Sequence, residues 1–157
     1  MIALRLVRLI ESHSEELAES LLHKLERSSR AADLKKVPGP EMRERTHEVY
    51  RNLSDWILTK TDDDIERVYV ALGRRRAEQG VSMSALCWAI LMIEENLWEF
   101  LEMEGMREKP LDILGSLELL RLMDQFFDQA VYFATLGHEG YWRQKQAEES
   151  ASLTHLA

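Results

Sequence analysis

The sequence predicts an all-α protein: a compact bundle of five to six helices with a long C-terminal helix. Three observations carry this expectation. Apolar residues recur three and four apart over long stretches, the repeat of one helix face. Sustained period-two alternation and Asn-Gly or Asp-Gly hairpin turns, the marks of strands, are missing from the sequence. Pro38-Gly39-Pro40, Gly80, Gly105 and Pro110 cut the chain into pieces of helix length. At 157 residues the chain fits one domain with a substantial core, and no internal repeat subdivides it. Residues 1–145 read as a single helical domain and 146–157 as a polar tail.

Ile2 to Ser12 reads as a short amphipathic helix with Leu4 or Val7, Leu6 and Ile10 on its inner side. Ser14 is placed to cap a second helix, with stripe Leu17, Leu21, Leu22 and Leu25, that fades near Ser28-Ser29. Asp33 to Pro40 is expected as a loop, with Pro40 in the first turn of the third helix. That helix, from about Glu41 to Lys60, turns Met42, Thr46, Val49, Leu53, Trp56 and Ile57 inward. Asp62-Asp63-Asp64 starts a fourth, its negative charge at the positive end of the dipole. The fourth helix continues through Ile65, Val68, Tyr69 and Leu72 to Gly80, with Arg74-Arg75-Arg76 near its C-terminus, where cations are favourable.

Val81 to Leu101 is expected to be the helix around which the others pack. Met83, Leu86, Cys87, Ile90, Ile93, Leu97, Trp98 and Leu101 follow one stripe, and Trp88, Ala89, Leu91 and Met92 widen it beyond one neighbour. Ser82 is placed to cap it. The last helix starts near Leu111, with Leu117, Leu120, Asp124, Phe127, Val131 and Ala134 along one line, and Gly137 and Gly140 expected to bend or end it.

Net charge is −8 and the sequence pI is near 5.2. Duplex nucleic acid and anionic membranes both select basic faces, so no nucleic-acid partner is expected. The apolar run Val81–Met92 is too short to span a bilayer, so no membrane insertion is expected. The one cysteine, Cys87, cannot form an internal disulfide, and the chain reads as cytoplasmic.

No residue set spells out a reaction. A carboxylate-bridged dimetal site needs paired Glu-x-x-His motifs, and the sequence has one, Glu44-x-x-His47, off the apolar stripe. His13, His23, His47, His138 and His155 all stand away from the apolar stripes, which argues against a proximal haem ligand. Cys87 sits between Leu86 and Trp88 as a small hydrophobe. Glu94 and Glu95 are adjacent and diverge by about 100° on a helix, a poor start for paired acid–base work. No cofactor, metal ligand or catalytic residue is assigned. Arg74, Arg75 and Arg76 are candidates for an acidic partner, against the plainer reading of a solvated helix end. Tyr141 and Trp142, aromatic in a polar stretch, are candidates for partner contact, whereas Trp56, Trp88 and Trp98 read as core.

Several stretches resemble the N-terminal sensor domain of RsbT co-antagonist proteins, of the RsbR and RsbRD type. They are Gly73-Arg74-Arg75-Arg76-Ala77-Glu78-Gln79-Gly80, Val81-Ser82-Met83, Leu97-Trp98-Glu99-Phe100-Leu101, Phe126-Phe127-Asp128-Gln129-Ala130 and Gly137-His138-Glu139-Gly140-Tyr141. The resemblance implies a globin-related or bundle-like helical input module, without haem, that dimerises and precedes an output domain. No stretch resembling a STAS or kinase output domain comes after Trp142-Arg143, so it further implies a piece of a longer protein or a module acting through a partner signalling protein.

The function expected is therefore a non-enzymatic signalling input module, acting by helix repacking as a homodimer. Leu117, Leu120, Phe127 and Val131 are its candidate interface residues, because the apolar line of the last helix is wider than one neighbour covers. The alternative is a haem- or small-ligand-binding sensor on the same fold.

Overall fold

The computed structural model describes residues 2–105 and 113–156. They form six α-helices: α1 (Ile2–Ser12), α2 (Ser14–Arg27), α3 (Gly39–Arg51), α4 (Asp62–Glu78), α5 (Met83–Gly105) and α6 (Ile113–His155). A 3-10 segment, Ser29–Lys36, joins α2 to α3, and a π-helical turn, Asp55–Thr59, precedes α4. No strand occurs among the described residues. The fold is all-α with a long last helix, as the periodicity predicts. The expected break at Pro110 and helix start near Leu111 lie outside the described residues.

Local chemistry fixes the best-defined ends. Thr61 Oγ1 accepts from the Asp64 amide at 3.2 Å, and the Asp64 carboxylate accepts from the Thr61 amide at 3.0 Å. This reciprocal capping box satisfies two donors that the first turn of α4 leaves open. Gly80, at φ +82°, takes the left-handed conformation that stops the chain after α4. Ser82 Oγ accepts from the Ala85 amide at 3.3 Å, so Ser82 does cap α5. Asp33 of the 3-10 segment accepts from the Ser82 amide at 3.0 Å and braces the same corner.

Val7, Ile10, Leu21, Tyr50, Leu53, Leu97, Leu119, Met123 and Phe127 are fully buried, drawn from α1, α2, α3, α5, α6 and the chain just after α3. Trp56 stacks on Phe126 at 5.7 Å between centroids, and Tyr69 meets both edge-on. Those aromatics are core, each contributing large apolar area.

Five details differ from the sequence reading. Ser14 is not a cap: it is buried in the first turn of α2, behind His13 at the cap position, which makes no side-chain cap bond. The stretch expected as a loop, Asp33 to Pro40, is 3-10 helix up to Lys36, held by burial of Ala31 and Leu34. The third helix does not reach Lys60. It stops at Arg51, where Glu11 of α1 accepts the Ser54 amide at 2.9 Å and draws that donor away from a helical carbonyl. Gly137 and Gly140 do not end α6, which runs on to His155. Finally, α5 packs on α2, α6 and the 3-10 segment, but the most extensive helix pair is α4 with α6.

Candidate functional site

Glycine explains the α4–α6 pairing. A Cβ built on Gly73 would lie 1.9 Å from the Ala134 carbonyl oxygen, and one on Gly137 would lie 2.0 Å from the Val70 carbonyl oxygen. Each helix thus presents a glycine to the other's backbone, a closeness no side chain permits. One residue on, His138 is buried, and its Nε2 meets the Val81 carbonyl at 2.7 Å. Its Nδ1 has no partner among the described residues. Expected at a helix end away from the apolar stripes, His138 instead lies inside α6 and ties it to the α4–α5 corner. Because α6 does not end at Gly137, the helical phase carries His138 to the inner side.

The three arginines part company. Arg76 is buried, and its Nη1 donates to Glu41 of α3 at 2.7 Å and to Gln79 at 2.7 Å. Arg75 donates twice to the same carboxylate, by Nη2 at 2.9 Å and by Nε. Arg75 and, to a lesser degree, Arg76 hold the Glu41 carboxyl down to about 2, against the opposing effect of its own burial. Arg74 is exposed, hydrogen-bonded to Gln144 of α6 and 3.7 Å from Glu78. The cluster is therefore mostly internal wiring between α3, α4 and α6, with Arg74 and Arg75 at the surface and Arg76 out of reach.

A second polar set joins α2, α3 and α5. Asn96, buried, donates to the Leu17 carbonyl at 3.0 Å and to Tyr50 Oη at 3.1 Å, and accepts from Lys24 Nζ at 2.7 Å. Tyr50 in turn donates to the Ile93 carbonyl at 3.1 Å. The sequence reading missed this set; an asparagine between Ile93 and Leu97 on a core helix is its visible sign. Beside it a cavity of about 60 Å³ is lined by Val49, Tyr69, Arg76, Leu86, Ile90 and others. A shallower groove of about 580 Å³ lies over Leu22, Leu25, Leu34, Val37 and Met42.

The exposed face is on α5 and α6. Leu117, Tyr132, Trp142, Leu153 and Leu156 are 56%, 60%, 49%, 70% and 86% exposed, and Leu91 of α5 is 46% exposed. At about 100° per residue, the five α6-side positions fall within a sector about 120° wide. Leu120 and Val131, half-buried, lie in the same sector; Phe127 is a core residue at 2% exposure. Of the two partner candidates past the bundle, Trp142 is exposed and Tyr141 half-buried. Residues 146–156 are exposed throughout.

Three carboxyls interrupt that face. Glu94 of α5 is half-buried, and Asp124 and Asp128 of α6 are exposed. Partial burial, then the influence of the Asp124 and Asp128 carboxyls, push the Glu94 carboxyl up to about 7. Among the described residues no three His, Cys, Asp or Glu side chains are grouped so as to hold a metal ion. Glu44 is exposed, and His47 faces Glu19 at 3.5 Å. No described helix is long and apolar enough to cross a membrane.

Residues 15–152 match the family described as the RsbT co-antagonist protein rsbRD N-terminal domain. The chain belongs to that family. No curated protein and no solved structure matches the chain. An RsbRD N-terminal domain is a signalling input module, and the geometry fits that role: internal ion pairs and glycine contacts fix helix positions, and one long helix leaves the bundle.

Proposed function

We propose that this domain is a non-enzymatic input module that works as a homodimer and passes a change in helix packing along α6 to an output domain or partner signalling protein. The observation that carries the reading is α6 itself. It spans 43 residues, about 64 Å at ~1.5 Å per residue, and its last ten, 146–155, are exposed throughout. An isolated helix arm of that length is marginal in water, so a partner for it is expected. Its exposed apolar residues share one side, which a second copy would cover along a twofold axis. The Gly73–Ala134 and Gly137–Val70 approaches and the His138–Val81 bond join this helix to α4 and the α4–α5 corner, so a shift at that corner moves the arm. A ligand or partner that favours one packing would bias the whole helix. Sedimentation velocity at tens of micromolar chain is expected to give a dimer; a monomer there contradicts the reading.

A further inference from the structure

The cavity beside the Asn96 network lies where α3, α4 and α5 face one another. None of the main pairings closes it: α3 rests chiefly on α2, α4 on α6, and α5 on α6, α2 and the 3-10 segment. Its walls are largely apolar, with Val49 from α3, Val68 and Leu72 from α4, and Leu86 and Ile90 from α5. Five side chains in the lining are polar, and three of them have partners. Thr46 Oγ1 donates to the Met42 carbonyl at 2.8 Å, Glu48 Oε1 accepts from the Trp56 indole at 3.2 Å, and Arg76 is held by Glu41 and Gln79.

Arg45 and Tyr69 are the other two. Arg45 is half-buried, and among the described residues it makes no ion pair and no side-chain hydrogen bond. Glu48, one turn on in α3, offsets its charge in part but does not pair with it, and Glu41, one turn before, is taken by Arg75 and Arg76. Tyr69 is buried, and its hydroxyl donates to no described group. Burial, with a smaller push from Glu48, lifts that phenol above its ordinary range, so it stays an O–H donor. An apolar cavity thus carries a free guanidinium fork and a free hydroxyl, two donors with no acceptor. A carboxylate matches the fork, and an apolar tail matches the walls. Volume sets the length of the tail. One water-sized site takes about 10–15 Å³. The cavity's 60 Å³ therefore holds about four to six such sites, the room of a tail of three or four carbons.

We propose that this cavity is the ligand site of the module and takes a short-chain monocarboxylate, its head on Arg45 and the Tyr69 hydroxyl and its tail between α3, α4 and α5. The proposal names a ligand for the input-module reading and rests on that reading only for what binding then does. The ligand would draw α3 toward α4 beside the Glu41–Arg76 link, and α4 is the helix that crosses α6 at Gly73 and Gly137.

The test is titration of the isotope-labelled full chain with isovalerate, butanol and inorganic phosphate, read by backbone amide shifts. It compares the wild type with Arg45→Gln, Tyr69→Phe and Ile90→Phe, with circular dichroism to confirm folding. Isovalerate is expected to saturate, with the largest shifts at Val49, Tyr69, Leu86 and Ile90. Arg45→Gln is expected to weaken it about tenfold or more, and Tyr69→Phe about fivefold, as loss of hydrogen bonds to a charged head requires. Ile90→Phe fills the cavity and is expected to abolish binding; should it not fold, Arg45→Gln decides alone. Butanol binding as tightly as isovalerate, or phosphate moving the same amides with equal affinity, overturns the carboxylate assignment. Isovalerate that gives no saturable shift at tens of millimolar overturns the site itself. These readings do not depend on association: a monomer in sedimentation leaves the site standing, and loss of the site leaves the dimer standing.

Discussion

Gly137→Ala is the substitution whose effect the fold determines most sharply. A Cβ there would lie 2.0 Å from the Val70 carbonyl oxygen, 2.8 Å from its carbon and 3.0 Å from the Arg74 nitrogen. A comfortable carbon–oxygen contact is about 3.3 Å, so α4 and α6 must part by roughly 1 Å. A gap of that size forfeits about a quarter to a half of each contact it opens. Overpacking costs about 1–3 kcal/mol, and the upper end applies because the obstacle is backbone rather than a side chain that can swing away. Alanine's helix preference returns about 1 kcal/mol, leaving a net loss of about 2 kcal/mol. Gly140→Ala is the internal control: the same helix, one turn on, with nothing within 4 Å of the added carbon. It is expected to gain about 0.5–1 kcal/mol. Urea denaturation read by circular dichroism measures both, and the losing variant is expected to melt about 4–8 °C lower. If Gly137→Ala proves as stable as Gly140→Ala, the close α4–α6 crossing is refuted.

The buried polar groups set the other expectations. Asn96→Ala leaves the Leu17 carbonyl and Tyr50 hydroxyl short of a partner and is expected to cost about 2–4 kcal/mol by the same denaturation assay; Tyr50→Phe is expected to cost about 1–2 kcal/mol. Glu41→Gln strips Arg76 of its counter-ion. Breaking a buried pair costs about 3–5 kcal/mol, and because Glu41 is partly open to water about 2–3 kcal/mol is expected. The Glu41 carboxyl is held down to about 2 from an ordinary 4.5, so the stability it lends is complete above that ordinary value and drains as pH falls toward 2. The acid limb of a stability–pH profile is expected to flatten in Glu41→Gln. Glu94 has the opposite sign: its raised carboxyl makes stability decline as pH climbs from about 4.5 to about 7, a slope that Glu94→Gln is expected to remove.

Helix existence is legible in the sequence because the stripes are long and the breakers strong. Leu17–Leu21–Leu25 and Leu86–Ile90–Leu97 turn inward as their spacing demands. What periodicity cannot supply is partnership between distant residues. Nothing local says that Glu11 takes the Ser54 amide and shortens the third helix, or that Asp33 reaches Ser82. Gly137 misleads because a glycine that breaks a helix and one that lets two helices touch look alike in one chain; the difference is Val70 on the other side. Of the candidate surface, Leu117 and Trp142 stand out from pattern alone and are exposed, whereas Phe127 shares their helix but faces the core. Arg76 cannot be told from Arg74 by composition; only the position of Glu41 separates them.

Whether two copies lay α6 against α6 is open to a direct cross-linking measurement. With Cys87 replaced by alanine, Gln146→Cys places a thiol on the apolar side of the exposed arm, and Ala151→Cys places one about 160° away from Leu117 on the helix wheel. Under mild oxidation, Gln146→Cys is expected to form a disulfide-linked dimer rapidly and Ala151→Cys to form little. Equal, slow cross-linking at both positions would contradict parallel pairing along this helix.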